Sequence, residues 1–137
     1  MRKLNRSKFF LPQFFLALIT AALLSACAPA PAPTGEITSI ELEQRLAADS
    51  APLILDVRSA DEYNAGHLPG AVNIPHTEVM VRLAELPSER DTEIVIHCHS
   101  GKRAGIAQTE LEAAGFSNIR HLDGDYIGWK EAGLTLE

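Results

Sequence analysis

The sequence predicts an α/β fold, a mainly parallel sheet with helices on both faces. Two observations carry this expectation. The runs Leu53-Ile54-Leu55 and Ile94-Val95-Ile96 are apolar at every position, as in strands buried on both sides rather than on one. Between such runs lie stretches with helix-start and helix-stop signals, and short strands alternating with helices build parallel βαβ units. Ligands of such folds bind beyond the carboxyl ends of the strands.

The elements follow in chain order. Thr38, with Glu41 three residues on, opens a helix. Its apolar stripe of Ile40, Leu42 and Leu46 runs out before Ser50. Pro52 introduces the strand at Leu53 to Leu55, which closes on Asp56-Val57-Arg58. Ser59 and Glu62 form a second capping pair for a helical turn over 60–64. Gly66 and Pro69-Gly70 mark turns, followed by a short extended piece from Ala71 to Ile74. A helix is expected over 77–85, stopped by Pro87. Glu93 to His97 is the clearest strand, and Lys102 to Ala114, closed by Gly115, the clearest helix. Asn118 to Leu122 reads as a further strand, and Tyr126 to Ala132 as a last helix ending at Gly133.

Charge is unevenly spread over the 137 residues. Residues 1–26 hold Arg2, Lys3, Arg6 and Lys8 and no acid, leaving 8 basic and 18 acidic residues beyond, a charge of −10. Such a surface repels polyanions, so no nucleic-acid partner is expected. After the basic start, Phe14 to Leu24 is an apolar run of 11 residues. As a helix it would reach about 16 Å, half of the ~30 Å hydrocarbon core, so a signal peptide over 1–26 fits better than a membrane span. Leu24-Ser25-Ala26-Cys27 resembles the lipobox of bacterial lipoproteins. That resemblance implies cleavage before Cys27 and lipidation on it, with a plain secretory signal as the alternative. Ala28-Pro29-Ala30-Pro31-Ala32-Pro33 favours extended polyproline II. Residues 27–35 therefore read as a tether and 36–137 as the folded domain. The expected location is the bacterial cell envelope, with the domain held to the membrane by the lipid and facing the periplasm or outside.

Chemistry concentrates in His97-Cys98-His99-Ser100-Gly101-Lys102-Arg103, which runs from a buried strand through a small loop into a helix. A loop closing onto a helix start aims several backbone N–H groups at one point, where the helix dipole adds positive potential. Gly101 permits the tight turn, and Lys102 and Arg103 add two cations. Such a cradle suits an anion. A free thiol is only a few per cent ionised at neutral pH, and this environment favours the thiolate, which makes Cys98 the candidate nucleophile.

At these residues the chain resembles the rhodanese family of sulfurtransferases. The loop of Cys98, four residues, then Arg103 and Ala104 carries the resemblance. So do Asp56-Val57-Arg58 with Glu62-Tyr63, the stretch Gly66-His67-Leu68-Pro69-Gly70-Ala71-Val72-Asn73-Ile74-Pro75, and Leu122-Asp123-Gly124 with Trp129. The resemblance implies a three-layer fold with a central sheet of about five strands. It also implies that Cys98 takes the outer sulfur of thiosulfate or a related donor as a persulfide. The sulfur then passes to cyanide, a small thiol or a protein thiol. His99, Ser100, Gly101, Lys102 and Arg103 would bind the donor, and no cofactor is required. A non-enzymatic sulfur-carrier or protein-binding module is the alternative. Phosphatases of this fold place five residues between cysteine and arginine, so the four here disfavour phosphate or arsenate chemistry. Two residues depart from the pattern: His99 stands where arginine is frequent, and Asp125 where a second glycine is common.

The remaining candidates admit plainer roles. Arg58 either lines the pocket rim or pairs with Glu62. Asp56 is expected to hold a loop rather than act as a base, and His67 to make a structural hydrogen bond. Adjacent strand side chains point to opposite faces, so His97, Cys98 and His99 do not form a metal site. His76 and His121 are expected at the surface and Trp129 in the core. The export reading predicts a mature chain that starts at lipid-modified Cys27. Mass spectrometry of the N-terminal peptide after cell fractionation checks it, and an unmodified peptide containing Leu24 would sink it.

Overall fold

The computed structural model describes residues 35–137. The expected signal peptide, Cys27 and the tether up to Thr34 lie outside the described residues. The strands are β1 (Gly35–Ile37), β2 (Leu53–Asp56), β3 (Val72–Asn73), β4 (Ile94–His97) and β5 (Ile119–Leu122). The helices are α1 (Ser39–Ala47), α2 (Ala60–Asn64), α3 (Lys102–Ala113) and α4 (Asp125–Glu131). The sheet has the order β1-β5-β4-β2-β3 and every neighbouring pair is parallel.

All residues of β4 are buried, because both faces of the sheet are covered. Side chains of a strand alternate between faces, and the core divides accordingly. Ile94, Ile96 and Cys98 pack with Ala104, Ala107 and Leu111 of α3 on one side. Ile54 and Val95 pack with Leu42 and Trp129, and with Tyr63 at the margin, on the other. The three-layer α/β fold is therefore present, with α3 on one face and α1, α2 and α4 on the opposite one.

Local signals in the sequence account for most boundaries. The Thr38 side chain accepts the Glu41 N–H at the start of α1. Ser59 and Glu62 exchange both hydrogen bonds of a capping box at α2. Gly115, past the end of α3, has φ +94°, a conformation that favours glycine. Trp129 is buried and donates its indole N–H to the Thr135 carbonyl at 2.8 Å.

Two expectations are corrected. No α-helix covers 77–85; turns span 76–81 and a single 3-10 turn covers Leu83–Glu85. Thr77, Val79 and Val81 are β-branched at alternate positions, which crowds a helix. Val79 is buried while Val81 is 83% exposed, so the segment has no single apolar helical face. The second correction is β1, an element absent from the reading of the sequence. Gly35, taken as the last tether residue, is its first, and the strand pairs with β5 through Ile37↔Leu122.

Ile37 is fully buried in the core that includes Trp129 and Leu122. Ile37→Ala should therefore destabilise the domain by about 2–5 kcal/mol, and Ile37→Val by only about 0.5–1.5 kcal/mol. Denaturant unfolding checks both, and equal small effects would show that β1 adds little.

Candidate active site

Cys98 follows the last residue of β4, at the carboxyl edge where β2 and β5 also end. Its side chain is a floor rather than a rim: the residue is 1% exposed and is a free cysteine. The Gly101 N–H points at its Sγ from 3.2 Å. Gly101 is also the N-cap of α3, with φ +95° and no side chain to satisfy the first amides of that 12-residue helix. The unpaired N–H groups of the first turn and the dipole behind them thus face the loop. A methyl at Gly101 would lie 3.0 Å from an oxygen of Asp125, so both backbone and space require glycine here.

The two cations of the loop have different roles. Arg103 makes a two-pronged ion pair with Glu62 of α2, at 2.6 and 2.8 Å. Glu62 is in turn bound by the Ser59 amide and hydroxyl, both at 3.0 Å. The Arg103 hydrogen bonds hold Glu62 far below the usual carboxylate range, and Glu62 with a smaller contribution from Cys98 raises Arg103. Arg103 therefore braces the loop against α2 while remaining close enough to sense the sulfur. Lys102 is exposed, and among the described residues it has no ion-pair partner. His99 and Ser100 are exposed too. The His99 ring faces Tyr126 at 6.0 Å between centroids and borders a pocket of about 220 Å³ with Ile127, Lys130 and Glu131. That pocket is beside the cysteine loop, and Cys98 does not line it.

Arg58 corrects the expectation placed on it. It is 2% exposed, so it is not on a pocket rim, and its partner is Asp56 rather than Glu62. Its guanidinium reaches both Asp56 oxygens, donates to the Gly66 carbonyl at 2.9 Å and lies over the Tyr126 ring at 3.9 Å. Asp56 accepts the Arg58 amide as well, which is the loop-holding role expected of it. His67 makes a structural contact, with Nδ1 3.1 Å from the Tyr63 carbonyl and its ring stacked on Tyr63 at 3.7 Å. His97 is wholly buried, and burial pulls its pKa below the ordinary histidine value. Its Nδ1–H donates to the Cys98 carbonyl at 3.1 Å. Among the described residues no group of histidine, cysteine and acidic side chains is arranged to hold a metal ion.

Two residues escaped prediction. Asp125 is 5% exposed and has φ +53°, so it keeps the left-handed conformation of a glycine while adding a carboxylate. That conformation costs a non-glycine residue about 1–2 kcal/mol. Its Oδ1 accepts the Cys98 N–H at 2.8 Å. His121, expected at the surface, is partly buried with Nε2 at 3.1 and 3.2 Å from the two Asp125 oxygens. The departure from glycine at 125 therefore reaches beyond a turn and into the cysteine loop.

A parallel three-layer α/β domain with a thiol set under a helix-start amide loop defines a class of α/β folds that carry a cysteine at the carboxyl edge of the sheet. Within that class, the family model for the Rhodanese-like domain matches residues 38–132, and the chain belongs to that family. A sulfurtransferase of Allochromatium vinosum is 36% identical over 101 residues, covering 74% of this chain and 92% of its own. A putative sulfur carrier protein of Bacillus subtilis is 42% identical over 84 residues, 61% of this chain but 44% of its own, so this chain spans under half of that relative. The Alr3790 protein of Anabaena superposes with a TM-score of 0.68 at 29% identity, over 74% of this chain and 81% of that one.

The buried pair yields a prediction. Asp56→Ala leaves the Arg58 charge enclosed without its partner, and breaking a buried pair in this way destabilises by about 3–5 kcal/mol. Thermal and denaturant unfolding measure it; a loss under about 1 kcal/mol would mean that Arg58 finds water.

Proposed function

We propose that this domain is a sulfurtransferase that carries sulfane sulfur as a persulfide on Cys98. The observation that carries the reading is the Gly101 N–H directed at Sγ from 3.2 Å, at the amino end of α3. An anionic sulfur in that position is stabilised by fixed dipoles that need no reorganisation. The Cys98 thiolate attacks the outer sulfur of thiosulfate, and the S–S bond of the donor breaks with its electron pair leaving on sulfite. The outer sulfur of the persulfide is then attacked by cyanide or a thiol acceptor, and the Cys98 thiolate returns. The sulfur travels covalently, so no cofactor takes part. Loop amides hold the transferred sulfur, Lys102 attracts the dianionic donor, and Arg103 with Glu62 keeps the loop in shape.

Likeness to a putative sulfur carrier protein favours a second reading, a module that accepts sulfur and waits for a specific partner. Single and multiple turnover separate the two. In either case we place the domain in the cell envelope on a lipidated Cys27. Its acidic surface suits a neutral or basic acceptor rather than an acidic one.

Intact mass after thiosulfate treatment should rise by about 32 Da, one sulfur atom, in a form discharged by cyanide or dithiothreitol. Cys98→Ser should abolish that gain and leave the circular dichroism spectrum unchanged. An undiminished gain in the serine variant would put the chemistry elsewhere. The two cations should also separate. Lys102→Ala should lower kcat/KM for thiosulfate at an unchanged melting temperature, whereas Arg103→Ala should lower both, the former by about tenfold or more, equivalent to about 1.4 kcal/mol. Unchanged thiosulfate kinetics in both variants would reject the anion cradle.

A further inference from the structure

The amide of the reacting cysteine is held by a carboxylate, which is an unusual neighbour for a site that must take an anion. Asp125 Oδ1 accepts the Cys98 N–H at 2.8 Å, and its other oxygen lies under Gly101, where a Cβ would meet it at 3.0 Å. One buried carboxylate thus underlies both ends of the turn from Cys98 to Gly101. Beside it stands His121, with Nε2 3.1–3.2 Å from both oxygens. The His121 ring also reaches Gly101, 3.7 Å from a Cβ placed there.

We infer that Asp125 and His121 form a positioning clasp beneath the cysteine loop, in which Asp125 fixes the loop and protonated His121 cancels the carboxylate's charge, so that the loop admits anionic reagents better below His121's titration than above it. The identity of the donor rests on the sulfurtransferase reading, but the clasp does not.

The charges around the pair set the sign. Below the titration of His121 the pair is neutral. Above it, a net negative charge stays fixed on the amide of the reacting residue, where it repels thiosulfate. Asp125 hydrogen bonding raises the His121 pKa against the opposing effect of burial, and Glu36 and Asp123 add to the rise. Glu36 is the register partner of His121 on β1, and Asp123 follows β5. Burial alone would push the Asp125 carboxyl up, yet the His121 ring and the Cys98 amide outweigh it and hold the carboxyl below its ordinary value. From β4 the pair faces Cys98 and the buried His97, whose pKa burial lowers. From the start of α3 come the cations Lys102 and Arg103. Folding linkage has the same sign. A raised histidine pKa gives stability that is complete below about pH 6.5 and is lost as pH rises through the folded value.

The test compares alkylation of Cys98 in the full chain by iodoacetate, an anion, and iodoacetamide, its neutral analogue. Peptide mass spectrometry reads Cys98 alone. Both reagents need the thiolate and are of similar size, so the ratio of their rates cancels Cys98 ionisation and access. From about pH 5.5 to about pH 8.5, where histidines titrate, the wild-type ratio should fall by about threefold. One unit charge about 7 Å away exerts that much at water-like screening. The midpoint should coincide with the His121 ring titration followed by NMR. His121→Gln keeps a donor to Asp125 but cannot change charge, so its ratio should be flat and low. Asp125→Asn keeps the acceptor for the Cys98 N–H without the charge, so its ratio should stay above the wild-type ratio at pH 8.5 and its fall should move to lower pH with His121. Either variant suffices if the other fails to fold. A flat wild-type ratio, or a fall at unchanged pH in Asp125→Asn, overturns the clasp. A fall of the expected form in a protein that gains no sulfur from thiosulfate would support the clasp and sink the transfer reading. A flat ratio in a protein that does gain sulfur would do the reverse.

Discussion

The geometry of the site depends on how the carboxyl end of β4 is tied to the amino end of α4. Cys98 uses both of its backbone groups for this: its N–H goes to the Asp125 carboxylate and its C=O receives the Tyr126 N–H at 3.1 Å. The next carbonyl, of His99, receives the Ile127 N–H at 3.3 Å. Two consecutive residues of the loop thus satisfy the first amides of α4, and that helix is held in turn by Trp129 in the core. The parallel ladder is what brings these ends together, since β4 and β5 must finish at the same edge for the turn after β5 to reach the cysteine. With the loop's outer groups occupied, the Gly101 amide and the first turn of α3 are left to face the sulfur.

Two carboxylates of this acidic protein that lie near the proposed anion site are committed to arginines. Asp56 is enclosed with Arg58 and Glu62 is bound by Arg103. Both carboxylates are so close to the loop that either one, left free, would oppose an incoming anion. Their arginine partners remove that effect, and the positive end of a 12-residue helix provides the field that remains. Arg103 also joins the two faces of the domain, because it starts on α3 and ends on α2 across the sheet edge.

The sequence made the local part of this arrangement legible. Capping pairs at Thr38 and Ser59, the apolar run of β4, the strand–loop–helix around Cys98 and the glycine after α3 all act over a few residues, and each was read in place. What escaped depends on pairing at a distance. Gly35-Glu36-Ile37 is too short to show alternation and becomes a strand only beside β5. Arg58 lies four residues before Glu62, a spacing that suggests a helical pair, yet the chain turns at Ser59 and Arg58 folds back on Asp56. His121 and Asp125 have the same spacing, but one lies within a strand and the other opens a helix, so their contact follows from the turn at Gly124. The departure from glycine at 125 was the available signal, a chemically functional residue at a position that demands a left-handed backbone.

The outer strands of the sheet have a consequence for how copies of this domain meet. The edge strands β1 and β3 are three and two residues long. On the β3 side, the Asn73 amide side chain already donates to the Asp56 and Arg58 carbonyls at 2.9 and 3.0 Å. Among the described residues, a foreign strand therefore finds only two or three residues at either edge along which to extend the ladder. The four-residue inner strands, which are the apolar segments most prone to stacking, are covered along both flanks. Crowding such domains against one another adds collisions between charged, like-signed surfaces and, among the described residues, offers only short edges for growth of a shared sheet.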